Sequence, residues 1–167
     1  MSDATPGLAL RELLDYTATE NQRWHGWFSD HPSALDASYG NAPLATVRDV
    51  VRHVAFVERR YAAILAGYEV PAATGLATDD AARLFAYVDE SRRQLESALL
   101  QAAEGGLQRE VEFMTLTAGK QRASGRKIAA HALMHGIRHW AQLATVLRER
   151  GHPTDWPHDL LLSDALR

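Results

Sequence analysis

The chain contains no cysteine. That excludes disulfides, thiolate nucleophiles and cysteine-ligated zinc, and leaves nitrogen and oxygen as the protein ligands for any metal. Strong charge of one sign is also missing: 18 basic and 21 acidic residues give a formal net charge of −3. No broad basic surface is therefore expected to meet nucleic acid. Lysine occurs only at Lys120 and Lys127 beside many arginines and alanines, a bias of GC-rich bacterial genomes. No apolar run approaches the ~20 residues of a membrane span. The opening "MSDATPGLALRELL" lacks the basic stretch and apolar run of a signal peptide, so a cytoplasmic protein without a membrane partner is expected. What is present is enough for one core: 167 residues, 46% hydrophobic and 23% charged, read as a single domain over 1–167.

Four segments carry helical periodicity, and none of the long ones alternates as a strand does. The first opens with Thr5 capping Pro6, runs to about Ser29, and buries Leu10, Leu13, Leu14, Trp24 and Phe28, with Thr17 and Asn21 on the same stripe. After a Pro/Gly/Asn linker, "TVRD" at Thr46–Asp49 has the form of a capping box. The second helix extends to about Ala66 with Val47, Val50, Val54, Val57, Tyr61 and Ile64 inward. His53 and Glu58 lie on opposite edges of that stripe. A third helix spans Asp79 to about Ala103, with Ala81, Leu84, Val88, Leu95 and Leu99 inward. The segment "EGGLQREVEFMTLTAGKQRASG" alternates at Val111 and Phe113 and predicts a short hairpin or loop. Ser124 then caps a fourth helix that stops at Gly151. The closing "DWPHDLLLSDAL" is apolar enough to pack back on the bundle.

The fourth helix carries "HALMHGIRHWAQL", with His131, His135 and His139 at four-residue spacing. Residues four apart are ~40° apart around the axis and ~6 Å along it, so His135 and His139 can aim at one ion. The outer pair is ~12 Å apart along the axis, so a third ligand should come from another helix. His53 is the best placed, His25 is poorer, and His152 and His158 read as surface residues. Three imidazoles on one ion leave coordination positions open for water or substrate, as catalytic sites do. Asn21, Glu58, His131 and Gln142 are candidates to orient the ligands. "HALMH" lacks the glutamate of a zinc protease, and no nucleophile elbow, Walker loop or dinucleotide fingerprint occurs.

These residues resemble the DinB/YfiT-like family of bacterial metalloenzymes. "HALMHGIRHWAQLATVLRERG" is similar to the family's H-x-x-N-H-x-x-x-H-R-G-Q-L segment followed by L-R-x-x-G. "VRDVVRHVAFVERRY" is similar to its H-x-x-x-x-E-x-x-W/Y helix, "LLDYTATENQRW" to its first helix, and "HDLLLSDAL" to its closing segment. The resemblance implies an all-α, up-down-down-up four-helix bundle, a homodimer, and nickel or zinc on His53, His135 and His139. It leaves His131 behind the ligands. Met134 stands where the family has asparagine, and Trp140-Ala141 where it has arginine-glycine, which points to an altered pocket wall.

The function implied is a metal-dependent enzyme of thiol-transferase or isomerase type, acting on a small-molecule substrate with a low-molecular-weight thiol such as mycothiol or bacillithiol. Lys120, Arg122, Arg126 and Lys127 are candidates to hold an anionic part of that thiol, and a solvated charge run is their alternative reading. Two other functions stay open at this point: metal-dependent hydrolysis, which a glutamate near the metal would favour, and a non-catalytic stress-linked metal-binding protein, which Trp140 blocking the metal face would favour.

Overall fold

Local capping chemistry sets the helix boundaries. The structure, a computed structural model, describes residues 9–72, 80–115 and 118–164. Thr46 caps α2 (Val47–Ala66) by accepting from the Asp49 N–H, and Asp49 accepts from the Thr46 N–H, which completes the expected capping box. Asp80 caps α3 (Ala81–Gly105) through the Ala82 N–H, and Ser124 caps α4 (Gly125–Glu149) through the Lys127 N–H. The helix α1 (Leu10–Asp30) starts at Ala9, where Glu12 accepts the free N–H; Thr5 and Pro6 lie outside the described residues. Gly67, at φ 75°, ends α2 in the left-handed conformation that a side chain disfavours.

Contacts between helix ends fix the topology. Trp24 and Phe28 at the end of α1 share a core with Leu143 and Leu147 at the end of α4, so these two run parallel. Val47, Val50 and Val51 join that core from the start of α2, and Leu84, Phe85 and Val88 from the start of α3, so α2 and α3 run opposite to α1 and α4. A second core at the other end joins Leu14, Ala62, Leu65, Leu95, Leu99, Ala132 and Leu133. The result is an all-α bundle in the up-down-down-up order that the resemblance implies.

The expected hairpin forms, with β1 (Glu110–Thr115) antiparallel to β2 (Gly119–Ser124) and Val111 paired with Ala123. Val111 and Phe113 pack on the second core, and diagonal ion pairs Lys120–Glu112 (2.8 Å) and Arg122–Glu110 (3.6 Å) tie the outer face.

Between the two cores lies a polar layer. Thr17 and Asn21 are buried as their stripe positions predict, and Glu58, expected at an edge, is 2% exposed. Arg92, which the periodicity reading passed over, reaches it from α3: its guanidinium donates to Glu58 Oε1 at 2.8 Å, to the Leu14 carbonyl at 2.7 Å, and to Thr17 Oγ1. The Arg92 charge can be buried here because its guanidinium finds three acceptors, while Glu58 Oε2 and Asn21 Nδ2 in the same layer have no hydrogen-bond partner among the described residues.

The closing segment packs back on the bundle as expected, but through its rings. Trp156 and His158 pack back on the bundle, the latter stacked on Trp24 at 5.1 Å, so His158 is half-buried and not a surface residue. His152 is half-buried as well, its N–H donating to the Leu147 carbonyl. The leucines that suggested packing do not provide it, since Leu161 is 86% exposed. Aromatic stacking, not aliphatic burial, docks this segment.

Candidate metal centre

Two antiparallel helices, α2 and α4, bring the site together. His135 and His139 project from adjacent turns of α4, with ring centroids 4.5 Å apart. Because α2 crosses them in the opposite direction, His53 meets both, at centroid distances of 5.0 Å and 5.1 Å. One ring nitrogen of each of the three lies within 4.8 Å of the others. Gly136 turns its backbone toward α2; a methyl there would sit 3.8 Å from Val54 Cγ1 and 3.9 Å from Glu58 Oε1, so the helices approach closely beside the histidines.

The donor set suits a divalent ion. His53 Nε2 and His135 Nε2 are 3.2 Å apart, close to the ~3.3 Å between two nitrogens that each lie ~2.05 Å from a tetrahedral ion. Metal binding also requires neutral imidazoles. Burial, then His139, His53, His131 and Arg138, push His135 down to about 3. Burial lowers His53, and burial followed by His53 lowers His139, so all three rings offer lone pairs at neutral pH.

This has a measurable consequence in the metal-free protein. The unfolded chain titrates its histidines near 6.5, whereas the folded rings hold out to lower pH. Below 6.5 the unfolded state binds more protons, so stability is present above that value and is lost as pH falls, until His135 itself protonates at about 3. Thermal midpoints between pH 7.5 and 5 should therefore decline, and more shallowly in His135→Ala than in the parent chain. A His135→Ala slope equal to the parent's would contradict the assignment.

The surroundings sort the other candidates. Tyr39 donates to Gln142 Oε1 at 3.1 Å, which holds the Gln142 side chain about one turn along α4 from His139. Tyr39, from the linker after α1, could not be anticipated from periodicity. His131 is exposed; its ring meets Tyr61 edge-on at 5.2 Å and His135 at 5.9 Å, which places it at the rim. His25 stacks on Phe85 at 4.5 Å and stays apart from the three. Asn21 and Glu58 serve the buried layer instead: Asn21 Oδ1 accepts from Trp140 Nε1 at 2.9 Å, and Glu58 pairs with Arg92.

One expectation needs correction. Trp140 does not form the pocket wall: it is 3% exposed, stacked on Trp24 at 5.2 Å, on the side of α4 turned away from the histidines. A bulky ring follows His139 in sequence but lies ~100° around the helix, in the core. The four basic residues lie on the hairpin and at the start of α4: Lys120 and Arg122 make hairpin ion pairs, and Arg126 and Lys127 sit in the first turn of α4, nine and eight residues before His135, ~12–13 Å along the axis. Met134, the other departure, is 60% exposed beside the cluster.

Among the described residues no helix is long and apolar enough to cross a membrane. No protein of curated function matches the chain. The bundle order, with histidines from its second and fourth helices meeting across their interface, agrees with the family comparison: the DinB family model matches residues 1–163, and the chain belongs to the DinB family.

Proposed function

We propose that His53, His135 and His139 hold a divalent ion, nickel or zinc, in a metal-dependent enzyme of thiol-transferase or isomerase type that borrows a low-molecular-weight thiol. The observation that supports this reading most is the donor set: three neutral imidazoles from two helices, within 4.8 Å, with no carboxylate among them. When bound, such an ion lowers the pKa of a thiol, so that thiolate is the attacking form near neutral pH. The protein has no cysteine of its own to supply that nucleophile.

The chain's residues divide the remaining work. Gln142, held by Tyr39, lies beside His139 on α4, and the rim residues His131, Met134 and Arg138 border the side of α4 from which a substrate reaches the histidines. The hydrolase reading lacks its general base, because Glu58 is committed to Arg92 in the buried layer. The non-catalytic reading lacks its plug, because Trp140 is turned into the core.

The test incubates zinc- or nickel-loaded protein with mycothiol or bacillithiol and an electrophile such as a chlorinated nitrobenzene or a cis-enedione. Thiol-dependent turnover that falls to background in His53→Ala, at unchanged helicity, is the expected result. Loaded protein inert with every low-molecular-weight thiol would overturn the thiol assignment.

A further inference from the structure

A hydroxyl, an imidazole and a buried carboxylate line up in the closing segment, on different residues from the three-histidine cluster. Thr154 Oγ1 lies 2.9 Å from His158 Nε2, and His158 Nδ1 lies 3.1 Å from Glu20 Oε2. Glu20, on α1, is 3% exposed, and Arg23 at 3.3 Å and the Trp156 indole N–H at 3.5 Å also point toward its oxygens. An ionised carboxylate only accepts, so the imidazole nitrogen facing it carries the proton. The neutral ring then has its lone pair on Nε2, and Thr154 is the donor.

The ring is also held in place. Trp24 stacks on it at 5.1 Å with 19° between planes, and Trp156 packs at 4.7 Å on a tilt. The Thr154 end of the relay faces space, while Glu20 at the other end is buried: Thr154, His158, Trp156, Arg148 and Asp159 line a pocket of about 430 Å³ between α4 and the closing segment. That volume is in the range of small-ligand sites. A nucleophile and a base in hydrogen-bond reach, with the base oriented by a third group, is the arrangement that activates a hydroxyl.

We propose that Thr154, His158 and Glu20 form a second, metal-independent site that hydrolyses small esters. Thr154 Oγ1 attacks the ester carbonyl while His158 Nε2 takes its proton, and the new C–O bond places negative charge on the carbonyl oxygen. Arg148, the arginine or lysine that lines this pocket among the described residues, supplies positive charge there, with the Asp159 carboxylate also in the lining. The carbonyl reforms as the alcohol leaves with the proton from His158, giving acyl-threonine. Water, deprotonated by the same imidazole, then releases the acid and restores the hydroxyl. Thr154 and His158 are the catalytic residues, and Glu20 is a positioning residue that sets the tautomer.

The full chain is assayed with p-nitrophenyl acetate in EDTA, and labelled with diisopropyl fluorophosphate followed by peptide mapping. Expected are label on Thr154, turnover that persists in EDTA, and a loss of about a hundredfold or more in Thr154→Ala and His158→Ala. Thr154→Ser should retain activity. Glu20→Gln should lower kcat at unchanged KM, with partial recovery in Glu20→Asp, which a merely structural role would not produce. Label only at other residues, a rate unchanged in Thr154→Ala, or turnover lost with EDTA would each overturn the proposal. Because the metal cluster is bypassed in this assay, its failure leaves the three-histidine reading untouched.

Discussion

Adding zinc or nickel to the metal-free protein is expected to raise its thermal midpoint by roughly 5 to 10 °C, and His135→Ala is expected to remove that gain. A ligand that binds only the folded state stabilises it by ~2.7 kcal/mol at a hundredfold excess over its dissociation constant, and each kcal/mol shifts a domain of this size by about 2–4 °C. The fold supplies the condition for that linkage, since the two helices place His53 Nε2 and His135 Nε2 3.2 Å apart only when packed. His135 is the position to change because its Nε2 makes the 3.2 Å approach to His53 Nε2 while its ring lies 4.5 Å from that of His139. His131→Ala serves as the control. Its ring is exposed and packs on Tyr61, so the metal-dependent gain should survive there. Loss of the gain in His131→Ala with retention in His135→Ala would reverse the assignment.

The second large effect belongs to the buried layer. Replacing either Glu58 or Arg92 alone by leucine should cost about 3–5 kcal/mol, because each single change strands a buried charge or its donors. Glu58 is 2% exposed; burial pushes its carboxyl up, and the Arg92 guanidinium opposes that shift. Without Glu58, Arg92 keeps the Leu14 carbonyl and Thr17 but loses its counter-charge. A loss of this size is a large share of the ~5–15 kcal/mol that holds a typical domain folded. The double variant Glu58→Leu with Arg92→Met should recover most of it, since removing both charges leaves an apolar space with few orphaned groups. Urea denaturation at unchanged m reads the effect. Additive losses in the double variant would show that the two side chains do not act as a pair.

Both effects bear on how far the sequence could be read. The spacing of His135 and His139 is a local property of one helix, so four-residue periodicity exposes it directly. His53 is different: periodicity places it on the edge of a stripe, but only the antiparallel packing of α2 on α4 decides that this edge faces the two histidines. The family resemblance supplied that step, because contacts between helices leave no local signature. Bundle order was legible for the same reason.

The misses follow from treating charge as a mark of exposure. Arg92 sits four residues after Val88 and three before Leu95, on the inward stripe of α3, and Glu20 sits three after Thr17 and four before Trp24 on α1. Their positions announced burial while their chemistry argued against it, and each is buried because a partner from a distant part of the chain satisfies it. Trp140 failed in the opposite way. Sequence adjacency to His139 suggested a pocket wall, but one residue along a helix is a ~100° turn, enough to carry a ring from the site into the core.

The central claim is that three imidazoles hold one divalent ion, and elemental analysis of protein purified without a nickel column tests it most directly. About one equivalent of zinc or nickel per chain, falling to background in His135→Ala, is the predicted result. Metal content near zero with no uptake on titration would contradict it.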